Sequence, residues 1–161
     1  MIELSKETII RKVTREDKPQ IIELIIQFYV ESLRDFGIKF DLETLYETVQ
    51  NFIDNQIGIV AEKEGVIVGV IGGMLAPSMF DKSQKIGQES IWYVTQKERK
   101  GSMGFKLIKE FERECIKRGA NAIIMIHMSN LYPEVLDRLY KMNGFRLMES
   151  NYIKGVKYEI I

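Results

Sequence analysis

The sequence predicts an α/β (α+β) domain of three layers, helices on both faces of a mixed sheet. Three observations lead there. Apolar residues recur at helical spacing in several stretches, short β-branched runs alternate with those stretches, and EKEG between two such runs reads as a tight antiparallel turn. The resulting order is strand, two helices, three strands, helix, strand, helix and two strands.

Each element has a local cause. Glu7 to Val13 can form a first strand, with Thr14 capping the following helix and Asp17 in its first turn. Ile21, Ile22, Leu24, Ile25, Phe28, Tyr29 and Leu33 share a helical face that should stop near Gly37. A second helix is expected from Asp41, with Leu45, Val49 and Phe52 inward. Gly58 to Ala61 and Val66 to Met74 flank EKEG as a hairpin, and a further strand covers about Glu89 to Val94. A helix then runs from Ser102 or Met103 to Arg118, ended by Gly119. Ala122 to Met128 reads as a buried strand. Pro133 opens a helix whose apolar face is Val135, Leu136, Leu139 and Tyr140, before Gly144. Phe145 to Met148 and Tyr152 to Ile160 are expected to close the sheet.

Composition bounds the function. A chain of 161 residues, 45% hydrophobic and 29% charged, suits one domain over residues 1–161 with its own core. Lys+Arg and Asp+Glu both number 23, so bulk charge points to neither nucleic acid nor a membrane surface as partner. One cysteine, Cys115, excludes an intramolecular disulfide, and with one histidine no Cys/His zinc site can be assembled, so no metal is expected. The charged start MIELSKETIIRKV lacks a signal peptide's apolar stretch, and no window approaches a membrane span of roughly 20 apolar residues. A cytoplasmic protein is the expectation. Lys106, Lys109, Arg113, Lys117 and Arg118 interleave with Glu110, Glu112 and Glu114 as a solvated helix face. The methionines, among them Met74, Met79, Met125 and Met128, are read as core filling.

The segment WYVTQKERKGSMGFKLI, Trp92 to Ile108, carries the functional signal. It joins a strand to a helix through a basic bend containing Arg99, Lys100, Gly101, Ser102, Met103 and Gly104. A helix start leaves about four N–H groups without helical partners and gathers partial positive charge, which suits phosphate. Many such turns hold no ligand. The bend matches neither the Gly-x-x-x-x-Gly-Lys-Ser/Thr pattern nor Gly-x-Gly-x-x-Gly, so a nucleotide-binding enzyme ranks third among the readings.

From Glu89 to Phe145 the chain resembles the GNAT N-acetyltransferase superfamily, in which a strand ending in a valine-like residue leads into Arg/Gln-x-x-Gly-x-Gly/Ala. Here Val94 stands five positions before Arg99, and Gly104 fills the final small position. LYKMNGF, Leu139 to Phe145, looks like the family's L-Y-x-x-x-G-F. Two features depart from the pattern. Ser102 replaces the first loop glycine while Gly101 comes one position early, and Asn130 lies ten residues before Tyr140, farther than the family's asparagine.

The resemblance implies a mostly antiparallel sheet splayed at a cofactor cleft. It implies acetyl-CoA as cofactor, with its pyrophosphate on Arg99 to Gly104, its pantetheine arm along Val94, and Tyr140 as a further contact. It implies acetyl transfer to a small-molecule or peptide amine, with Tyr140 as proton donor. Glu89 and His127 are the alternatives for the base, each weighed against an ordinary structural role. The acceptor loops are expected at Phe28 to Gly37 and Ala76 to Gln84. A GNAT-fold binding or regulatory protein with a vestigial cleft is the second reading, and exposed sheet edges make a homodimer reasonable.

Overall fold

The computed structural model describes residues 7–157. Its elements are β1 (Thr8–Lys12), α1 (Lys18–Phe28), α2 (Leu42–Asp54), β2 (Ile57–Lys63), β3 (Val66–Pro77), β4 (Lys85–Val94), α3 (Met103–Lys117), β5 (Ala122–Ile124) and α4 (Pro133–Met142). The five-stranded sheet follows chain order; β1 to β4 are antiparallel neighbours, and β5 lies parallel to β4. The parallel step is possible because α3 carries the chain back across the sheet.

The predicted starts and turns have their expected causes. Asp41 caps α2, its carboxylate accepting the Thr44 N–H at 2.9 Å. Asp17 accepts the N–H and hydroxyl of Thr14 at 2.8 and 3.1 Å, closing a short 3₁₀ turn, Arg15–Asp17, ahead of α1. The β2–β3 turn is a two-residue one in which Glu64 and Gly65 take φ of 53° and 79°, the twist an antiparallel hairpin requires. Beyond α1 the helix widens into a π turn, Tyr29–Leu33, and then tightens into a 3₁₀ turn that ends at Gly37.

Both faces of the sheet are covered, so its central strands read as apolar runs rather than alternations. On one face Ile21, Leu24, Val49 and Phe52 of α1 and α2 pack on Val60, Val70 and Tyr93. On the other, Leu107, Phe111 and Cys115 of α3 pack on Ile59, Ile71 and Val94. The exposed face of α3 carries two of the expected ion pairs, Lys109 with Glu112 at 3.0 Å and Arg113 with Glu110, whereas Glu114, expected on that face, is buried and pairs with Arg118 at 2.9 Å and Lys12 of β1 at 3.3 Å.

Three strand expectations are corrected. Ala122 to Met128 pairs only over Ala122–Ile124, because the Ile126 N–H turns to the Glu89 carboxylate at 3.1 Å and the Ile126 carbonyl accepts the Tyr140 hydroxyl at 2.8 Å. Phe145 to Met148 and residues 152–157 are not strands. Apart from Phe145, whose ring meets that of buried Tyr140 at 5.8 Å, their large apolar side chains are exposed, Leu147 by 71% and Tyr152 by 96%, and strand preference expresses packing on a half-buried surface. Residues 158–160 of the last expected strand lie outside the described residues. Met79, 89% exposed in the β3–β4 loop, and Met74, 40% exposed on β3, do not fill the core as expected.

Candidate active site

Between β4 and β5 the sheet opens. Their pairing ends at Gln88↔Ile124, whereas β4 continues to Val94. A bulge contributes to the divergence: the β3–β4 register passes from Gly72↔Ile91 to Gly73↔Glu89, skipping Ser90. The Glu89 side chain, instead of a main-chain ladder, bridges to Ile126.

At the far end of β4 the Thr95 N–H donates to Val68 of β3 at 2.9 Å. The carbonyl of that same trans peptide, Val94, therefore faces the opposite, unpaired edge. Arg99 folds back onto it, Nε to the Val94 oxygen at 2.8 Å, while its Nη2 pairs with Glu31 at 2.9 Å. Glu31 also accepts the Tyr93 hydroxyl, and the guanidinium lies over the Tyr93 and Tyr132 rings at 5.0 and 5.8 Å. Burial and the Glu31 carboxylate push the Tyr93 phenol above its ordinary range.

The bend supplies donors and room. The N–H groups of Gly101 to Phe105 find no acceptor among the described residues, and the helical series begins with Lys106 to Ser102 at 3.0 Å. Ser102 does not cap the helix with its side chain. A Cβ on Gly101 would meet only the Glu98 carbonyl at 3.9 Å, and φ at this glycine is not positive, so the chain's own packing does not demand glycine there. Gly104 differs: a Cβ would come within 3.1 Å of Trp92 Cζ2. Lys100 is exposed and Met103 buried.

Tyr140, Glu89 and His127, far apart in sequence, meet around Ile126. The Glu89 carboxylate is 4% exposed, and burial pushes it up to about 8 against the opposing pull of the Ile126 N–H. Burial, reinforced by Glu89, pushes the Tyr140 phenol well above its ordinary range. The His127 and Trp92 rings lie 6.3 and 5.9 Å from that of Tyr140. Among the described residues, the buried side-chain polar atoms without a partner are Trp92 Nε1, Arg99 Nη1 and His127 Nδ1, all on residues bordering this opening.

A model of the acetyltransferase (GNAT) family matches residues 22–145. The chain belongs to the acetyltransferase (GNAT) family. No curated protein matches. Solved structures similar to this GNAT chain include an aminoglycoside acetyltransferase from an uncultured soil metagenomic sample, in complex with sisomicin. It is 19% identical with TM-score 0.73, over 96% of this chain and all of that one (100%). Ribosomal-protein-alanine N-acetyltransferase from Brucella melitensis biovar Abortus 2308 is 17% identical, with TM-score 0.73, over 93% of this chain and 99% of its own. A predicted acetyltransferase with acetyl-CoA from Clostridium acetobutylicum is 15% identical, with TM-score 0.72, over 92% and 96%. At these identities the likeness is one of fold.

The structure also relocates two features of this GNAT chain. Asn130 donates to the Ser32 carbonyl at 3.0 Å, tying the loop before α4 to the π turn. The 28–37 segment thus borders the opening through Glu31 and Ser32, whereas the 78–84 loop lies at the other end of β4, about 30 Å of extended chain away. Glu31 falls inside the expected 28–37 segment, but its pairing with Arg99 and Tyr93, and the approach of Tyr132, are not legible in the sequence because no local motif links residues so distant in it.

Proposed function

We propose that this GNAT chain is an N-acetyltransferase that moves an acetyl group from acetyl-CoA to a primary amine by direct transfer in a ternary complex. The observation that carries this reading is the set of unpartnered amides from Gly101 to Phe105 beside the unpaired edge of β4. When bound, acetyl-CoA supplies an activated thioester.

The residues present fit that group. The amides and the free Nη1 of Arg99 are donors for a diphosphate, and the space above Gly101 is room that the fold does not use. In an extended strand the N–H and C=O of one residue point the same way, so the Val94 N–H faces the open edge and can pair with an amide of the pantetheine arm. Arg99 holds the neighbouring carbonyl in place.

Glu89 takes the role of base. A carboxylate with a pKa of about 8 accepts a proton from an ammonium group more readily than an ordinary one, and its burial beside the opening positions it for that exchange. His127 is the alternative. Tyr140 is the proton donor for the departing thiolate by its place in the L-Y-x-x-x-G-F segment; burial keeps its phenol protonated and makes it a weaker acid than a free phenol, so donation relies on close positioning. Alignment in a dry cleft supplies much of the remaining acceleration.

Thiol release from acetyl-CoA across an amine panel of aminoglycosides, polyamines and peptides with free N-termini or lysines tests this reading. Amine-dependent release supports it. The Tyr140–Ile126 hydrogen bond favours a second reading, a GNAT-fold binding or regulatory protein, because the proposed proton is already committed to a main-chain oxygen. Stoichiometric CoA binding with no release across the panel would select it.

A further inference from the structure

We propose that Trp92 reads the pantetheine arm, its indole N–H donating to an amide carbonyl of that arm; this rests on the CoA reading above. Strand alternation and contacts place the side chain. Ile91 and Tyr93 join the α1–α2 side of the core, while Trp92 and Val94 join the α3 side. There the six-membered ring of Trp92 faces Gly104 in the first turn of α3, so closely that a Cβ on that glycine would fall 3.1 Å from Cζ2. Its other neighbour is the Tyr140 ring, with centroids 5.9 Å apart. Trp92 therefore stands between the helix start proposed to hold the diphosphate and the residue proposed to face the reacting end.

Its Nε1 is buried with no acceptor among the described residues. An indole N–H only donates, and buried tryptophans ordinarily find an oxygen for it, so an acceptor arriving from outside accounts for the position. The amides of the bend and Arg99 already answer the phosphates. Trp92 lies two residues back along β4, about 7 Å from Val94 toward Glu89, where an extended arm would present carbonyl oxygens rather than phosphate. No acceptor of another kind is needed to satisfy it.

The chain contains one tryptophan, so a proton–nitrogen correlation spectrum of the full chain shows one indole peak, and its assignment needs no mutant. Coenzyme A is expected to shift that peak downfield and slow its solvent exchange by about tenfold, while adenosine 3′,5′-bisphosphate, which lacks the arm, binds more weakly and leaves it in place. Trp92→Phe, which keeps a ring against Gly104, should weaken coenzyme A about three- to tenfold and leave the bisphosphate unchanged. If calorimetry shows coenzyme A binding but the indole peak does not respond, or the bisphosphate shifts it equally, the role of Trp92 is overturned and the CoA reading stands. If neither ligand gives heat, both fall.

Discussion

Glycine at position 101 is unexplained by the protein itself. Its φ is not positive and a side chain there would meet no crowding, so Gly101→Ala should leave stability unchanged or raise it by about 0.4–1 kcal/mol through the unfolded state. The same methyl group would intrude on a diphosphate, and coenzyme A affinity should fall about tenfold by calorimetry while the melting temperature holds. Equal affinity would remove Gly101 from the cradle. Tyr140→Phe deletes the donor to the Ile126 carbonyl, at a stability cost of about 1 kcal/mol. Turnover should fall well beyond what that cost explains, with coenzyme A affinity nearly intact; an unaltered rate would leave Tyr140 as a packing residue.

Glu89 gives a pH signature at the same scale. Its folded pKa of about 8 lies above the ordinary value of 4.5, so between those values the unfolded chain has lost a proton that the folded chain keeps. Stability contributed by the protonated carboxyl is fully present below about 4.5 and is lost as pH rises to about 8, by at most about 1.4 kcal/mol per unit. Melting temperature should decline across that window in the wild type and stay flatter in Glu89→Gln. The kcat/KM profile should rise through about 8 and lose that limb in the variant. Asp17, held down mainly by its hydrogen bonds to Arg11, acts with the opposite sign, only as pH falls toward and below the usual carboxylate range.

Elements were legible where one segment contains its own cause. Asp41, the EKEG turn and Gly119 stopped or started structure as their chemistry dictates, and the helix Met103–Lys117 follows from its apolar period. The strand after it was overextended because AIIMIHM has uniform strand preference; what ends the strand at Ile124 is a glutamate 37 residues away that captures the Ile126 N–H. The π turn was equally hidden. It places Glu31 against Arg99 and Tyr93, across separations of 68 and 62 residues. Glu31→Gln should therefore lower stability by about 1–3 kcal/mol, because Arg99 loses its ionic partner in a largely buried setting, and should also weaken coenzyme A by loosening the bend. A thermal melt paired with calorimetry checks both effects; an unchanged affinity would show that the bend is rigid without this strut.

At the scale of the molecule, helices on both faces leave the sheet one place to open, the edge between β4 and β5. The layered order was readable because periodicity and turn chemistry determine which segments are strands and which are helices. The unpaired amides of the bend were readable because a helix start leaves its first N–H groups without helical partners. The convergence of Glu89, His127 and Tyr140 on Ile126 was not, since only the three-dimensional path beyond β5 brings them together. Among the described residues no helix is long and apolar enough to cross a membrane.

The most direct test is calorimetric titration of coenzyme A into the wild type and Gly104→Glu. The account predicts saturable one-to-one binding by the wild type with a dissociation constant in the range of about 1 μM to 1 mM, and no measurable heat from the variant, whose side chain starts 3.1 Å from Trp92 at the head of α3, crowds that wall of the cleft and brings a negative charge beside the amides. A wild type that takes up no coenzyme A, or a folded Gly104→Glu that binds it as tightly, would contradict the account.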